Sequence, residues 1–140
     1  MTALPPTTRL QPSRIGRGRT YDFSLGALSG TLTVTELSDG QPGEIFIRVA
    51  KQGSTLAGLC ESLSITTSLA LQHRTPVIEV VGRLLHTRYE PSGYTGDPDV
   101  PTATSLSDYV ARRLAIDFLD SAELAQLNIS SPTHALASAR

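Results

Sequence analysis

Two stretches hold residues whose types and spacing suit the binding of an anion. The first is Arg48-Val49-Ala50-Lys51-Gln52-Gly53-Ser54-Thr55. It sets two cations, a glycine and two hydroxyls at the start of a segment with helical periodicity. Unpaired backbone N–H groups and the helix dipole favour a phosphate there. The stretch lacks the GxxxxGK[ST] spacing of nucleotide-hydrolase loops, and ordinary helix capping is the competing reading. The second is His86–Gly96, His-Thr-Arg-Tyr-Glu-Pro-Ser-Gly-Tyr-Thr-Gly, running on through Pro101. Arg88 can fork onto a phosphate or carboxylate, and Tyr89 and Tyr94 can stack on a base. Gly93 and Gly96 allow close backbone approach. The alternative is an ordered loop whose tyrosines cover the core while Arg88 pairs with Glu90. Arg48, Lys51, Ser54 and Thr55, with Arg88, Tyr89, Ser92, Gly93 and Tyr94, form the candidate ligand set.

Other chemistry finds less support. Cys60 falls on the apolar stripe of a helix, where burial rather than thiolate reactivity is expected. His73, His86 and His134 have no metal-ligand spacing with one another or with Cys60, and a zinc site wants several such ligands. Gly96-Asp97-Pro98-Asp99 suits either a cation or a solvated turn, with the turn favoured. No motif places a catalytic triad or a carboxylate pair, so no catalytic residue and no metal is assigned.

These residues need elements to hold them. Tyr21, Phe23 and Leu25 alternate with polar neighbours, as do Leu32 and Val34 within Thr31–Thr35, and then Ile45, Ile47 and Val49. Period-two alternation of β-branched and aromatic residues is the signature of a half-buried strand. Turn-rich Gly26–Gly30 and Ser38–Gly43 separate the runs. Leu56, Leu59, Cys60, Leu63 and Leu71 mostly recur at helical spacing, with Ser54 as the expected N-cap. Thr75-Pro76 opens a short helix to about Leu85. Ser105, with Asp108 three residues on, has the capping-box pattern of a third helix, whose buried stripe is Leu106, Tyr109, Val110, Leu114 and Phe118. The expected fold is α+β, an antiparallel β-meander of about three strands covered on one face by about three C-terminal helices. Residues 1–19 read as a flexible basic tail, 20–120 as the domain, and 121–140 as a weakly structured tail carrying at most one turn.

Bulk properties set the limits. A chain of 140 residues is large enough for a core without staples. Net charge is −1, spread unevenly, because Arg9, Arg14, Arg17 and Arg19 all precede the first acid, Asp22. No global field draws the protein to nucleic acid or to a membrane surface, and no apolar run approaches membrane-spanning length. One cysteine fits a reducing, cytoplasmic setting.

Gly43–Thr55, Ser68-Leu69-Ala70-Leu71-Gln72 and Arg88–Gly96 together resemble one known domain. It is the C-terminal, TSCPD domain of class II, adenosylcobalamin-dependent ribonucleotide reductases. The resemblance extends through Pro101–Ser105 and Asp108-Tyr109 and covers roughly residues 19–119. Those reductases also need a catalytic barrel with a radical cysteine, a reducing cysteine pair and a cobalamin site. None of these carries over onto a residue here, and adenosylcobalamin is a cofactor of the full-length enzymes, not of this chain. The resemblance implies an accessory or regulatory module of deoxyribonucleotide synthesis, associating with a reductase or with itself. A second reading is an oligomeric nucleotide-binding protein, a sensor or sponge, using the candidate set above. A third is a split subunit that completes a reductase in trans.

Overall fold

A computed structural model describes residues 17–50 and 53–130. Three antiparallel strands, β1 (Gly18–Leu25), β2 (Leu28–Glu36) and β3 (Pro42–Val49), form a sheet in the order β1-β2-β3. The meander and the α+β class follow the sequence pattern. Leu25, Leu28, Leu32, Val34, Ile45 and Ile47 are buried on one face. The other face carries rows set by the register. Thr20, Thr33 and Phe46 are aligned, and one step along the strands so are Asp22, Thr31 and Arg48. β1 begins at Gly18, slightly before the start read from sequence. The expectations for Met1–Gly16, Lys51 and the last ten residues lie outside the described residues.

Helix α1 (Ser54–Gln72) does not lie over the sheet face but runs along the free edge of β3. Ser64, Ser68 and Gln72, at i, i+4 and i+8, share one helix face. They meet the outward backbone groups of the strand. Ile47 N donates to Ser64 Oγ at 3.0 Å, Ile45 N donates to Ser68 Oγ at 3.0 Å, and Gln72 Nε2 donates to Gly43 O at 2.8 Å. An open sheet edge invites pairing with other chains; here a helix's side chains occupy it. The N-cap of α1 is Gly53, without a side-chain cap, and not Ser54. Likewise α2 (Val77–Leu84) is capped at Pro76, one residue later than Thr75. Single-residue shifts of this kind are normal at helix ends.

The segment read as a long loop contains a hairpin. β4 (Gly93–Asp97) and β5 (Val100–Ala103) pair antiparallel, and β4 lies against β1. Helix α3 (Leu106–Phe118) follows, with Ser105 Oγ accepting from Asp108 N as its pattern promised. The reciprocal half of the box differs. The Asp108 carboxylate accepts from Thr104 N at 2.9 Å, from His86 N at 2.7 Å and from Arg112 Nε at 2.9 Å. It thus clamps His86, held at φ 65°, to the start of α3. A short α4 (Ser121–Gln126) begins with a full capping box between Asp120 and Glu123. Among the described residues no helix is long and apolar enough to cross a membrane.

Candidate functional site

Each sequence-selected residue can now be placed. Arg48 ends the outer row of β3 and is exposed. Together with Val49 and Ala50 it lines an open cavity of about 610 Å³ at one end of the sheet. The opposite wall is Thr95-Gly96 of the hairpin, and Asp22, Ser24, Ser29 and Thr31 complete the rim. The two anion-competent stretches therefore meet, but through Arg48 and Gly96 rather than through the full set. Ser54 and Thr55 sit exposed in the first turn of α1 and are not in that cavity. Lys51 lies outside the described residues.

The Arg/Tyr stretch divides by role. Tyr89 is structural: its Oη shares a 2.7 Å hydrogen bond with Ser107 Oγ and accepts from Ser107 N at 3.0 Å, binding the loop to α3. Tyr89 N donates to Thr104 O at 3.2 Å, and Thr104 Oγ1 donates to Thr87 O at 2.9 Å. Ser92 Oγ donates to the Glu90 carboxylate at 3.1 Å. The Arg88–Glu90 pair of the alternative reading does not form; among the described residues Arg88 enters no salt bridge and is exposed. Tyr94 is 81% exposed, so it does not cover the core. Gly93 (φ 123°) and Gly96 (φ 75°) adopt backbone that other residues rarely take, which accounts for both glycines.

Sequence reasoning missed the group that makes this hairpin rigid. Arg113 of α3, 3% exposed, places Nη1 at 3.0 Å from Asp97 Oδ2 and 3.2 Å from Asp99 Oδ2. Its Nη2 lies 2.7 Å from Asp117 Oδ1, and its guanidinium stacks 4.2 Å from the centre of the Tyr21 ring. Tyr109 Oη donates to Asp97 Oδ2 at 2.8 Å, and Tyr21 Oη donates to Asp117 Oδ2 at 2.6 Å. Asp97 and Asp99 are thus the hairpin's counter-ions to Arg113, not a cation loop or a plain solvated turn. Burial disfavours the Asp97 carboxylate, yet bonds from Tyr109, Arg113 and Asp99 N outweigh it and hold its pKa below the ordinary value. Burial, then the hydrogen bond to Asp97 and its charge, pushes the Tyr109 phenol up. Burial works against the charge of Arg113, but Asp117 and Asp97 more than compensate and raise its pKa. The sequence signals were an i,i+4 Arg–Asp pair on α3 and an arginine within an apolar stripe.

Cys60 is buried, and burial pushes its thiol up, away from the thiolate. Among the described residues no three His, Cys, Asp or Glu side chains gather where they could share a metal ion.

Comparison with known proteins places these features in a family. The family model described as TSCPD domain matches residues 6–118. A vitamin B12-dependent ribonucleotide reductase of Streptantibioticus cattleyicolor is 41% identical over 121 residues, which is 84% of this chain and 20% of that protein. The enzyme of the same name from Rhodopirellula baltica is 40% identical over 82% of the chain and 11% of its own length. That of Agrobacterium fabrum is 35% identical over 81% and 9%. The chain therefore spans a fifth or less of these relatives. No solved structure matches it. The match over residues 6–118 identifies the chain as a member of the TSCPD domain family.

Proposed function

We propose that this chain is a non-catalytic module of a vitamin B12-dependent ribonucleotide reductase system, acting in deoxyribonucleotide synthesis by binding the reductase body. The observation that carries this reading is the exposed Tyr94 on a hairpin locked from behind by Arg113. Arginine and tyrosine dominate the energetics of interfaces, and a rigid aromatic loses little entropy on docking. Tyr94, with Arg88 nearby in sequence, is the contact. Family membership supports this choice of partner, since the relatives that share this domain carry the reductase name. Cys60, buried and with its thiol pushed up, is poorly suited to radical or thiolate chemistry. The test is calorimetric titration of the chain into a reductase body that lacks the matching region. Binding that weakens at least tenfold with Tyr94→Ala supports the reading, and no heat at high micromolar concentration refutes it.

A second reading, nucleotide binding by an oligomeric sensor or sponge, is favoured by one observation. Arg48 and Thr95-Gly96 face each other across the 610 Å³ cavity, a size suited to a small ligand. Titration with ATP and dATP decides it: heat that disappears in Arg48→Ala supports a site, and a silent titration removes it.

A further inference from the structure

We infer that the chain forms a two-fold dimer through the outer face of its three-stranded sheet. That face is open, and its β3 side, continued by the adjoining α1, is apolar. Phe46 is 47% exposed, and Ile65 and Leu69 of the adjoining α1 are 54% and 38% exposed. All three line a groove of about 550 Å³ whose charged members are Glu44, Arg48 and Glu61. Contiguous exposed apolar surface rimmed by charge marks an interaction site.

The occupant follows from the arrangement of charge. Glu44, Phe46 and Arg48 alternate on the outward side of β3, so each charge stands about 6.7 Å from Phe46 along the strand. Consider a two-fold axis lying between two facing sheets, parallel to the row Thr20–Thr33–Phe46. It sets Phe46 over Phe46 and threonine over threonine, and it brings Glu44 of each copy over Arg48 of the other. α1 runs antiparallel to β3, since Ser64 meets Ile47 and Ser68 meets Ile45. Ile65 and Leu69 therefore straddle the level of Phe46, and the same axis exchanges them, Ile65 onto Leu69. A surface that becomes complementary to itself under one rotation is what an isologous interface requires, and aligned sheets pack about 10 Å apart in this way. The partner is a second copy of this chain. The hairpin bearing Tyr94 is not part of this groove.

Sedimentation of the purified chain alone, over a micromolar concentration series, tests this independently of any reductase. The expected result is a monomer–dimer equilibrium that Phe46→Glu abolishes and that Glu44→Arg or Arg48→Glu alone weakens at least tenfold. The double charge exchange E44R/R48E regenerates the complementarity and restores the dimer. Circular dichroism verifies that each variant folds. A monomer at every concentration, a dimer indifferent to Phe46→Glu, or a double exchange no better than the singles would overturn the proposal. So would a monomeric chain whose reductase binding is lost with Phe46→Glu, which would give the face to the reductase.

Discussion

Replacing Arg113 by alanine isolates what holds the β4–β5 hairpin in place. The guanidinium is 3% exposed and faces Asp97 and Asp117, whose side chains are 5% and 7% exposed. Removing it leaves Asp97 in low dielectric without its counter-charge and Asp117 with only the partly exposed Arg19, whose Nη1 lies 3.2 Å from Asp117 Oδ1. Breaking a buried pair in this manner costs about 3–5 kcal/mol. Typical domains have only about 5–15 kcal/mol in total, so the variant should lose a large share of its stability and melt on the order of 10 °C lower. Arg112→Ala is the control. Its partner Asp108 is fully buried, but Arg112 itself is 26% exposed and Asp108 keeps two backbone N–H donors. The expected loss is about 1.5 kcal/mol. Urea unfolding followed by circular dichroism measures both. The double variant R113M/D97N, which removes the stranded charge and leaves Asp117 its Arg19 partner, should recover much of the loss. An Arg113→Ala cost below about 1 kcal/mol, or one no larger than that of Arg112→Ala, would refute the assignment of hairpin rigidity to this network.

Three further consequences follow from the packing and the charges. At Gly30 a Cβ would stand 2.6 Å from Arg48 O and 2.9 Å from the Phe23 ring; Gly30→Ala should therefore destabilise by about 1–3 kcal/mol in the same urea assay. Ser64→Ala strips a bond from the N–H of Ile47 at the β3 edge and should cost about 1–3 kcal/mol, with faster hydrogen exchange at that amide as its specific mark. Asp97 and Asp108 have folded pKa values below their unfolded value of about 3.9. Their contribution is therefore fully present above roughly pH 5 and lost as pH falls through the depressed folded values. Stability measured from pH 6 to pH 2 should decline below about pH 4, and less steeply in the D97N variant.

The meander was legible because its strands carry clean alternation; Ile45-Phe46-Ile47-Arg48-Val49 admits no other reading of its faces. Ser105 with Asp108 likewise marked the start of α3. The hairpin was not legible. Gly93 and Gly96 disfavour strand on propensity, Pro101 interrupts β5, and the two strands have five and four residues. What orders them is mainly tertiary, Asp97 on Arg113 and Tyr89 on Ser107, with Thr95 Oγ1 on the Val100 carbonyl within the hairpin itself. The place of α1 was hidden for a similar reason. Its serines and glutamine look like a solvated face until the β3 backbone is set against them. Of the candidate ligand residues, the alternation of β3 put Arg48 on an open face. The separation of Tyr89 into a structural role and Tyr94 into an exposed one depends on contacts 18 residues away in sequence.

The Tyr94 hairpin is proposed to dock this module onto a reductase body. Titration of the wild-type chain and of Tyr94→Ala into that body tests it most directly. The expected result is saturable binding by the wild type and at least a tenfold loss in the variant, with the fold unchanged. Equal binding by both, or binding by neither, would contradict it.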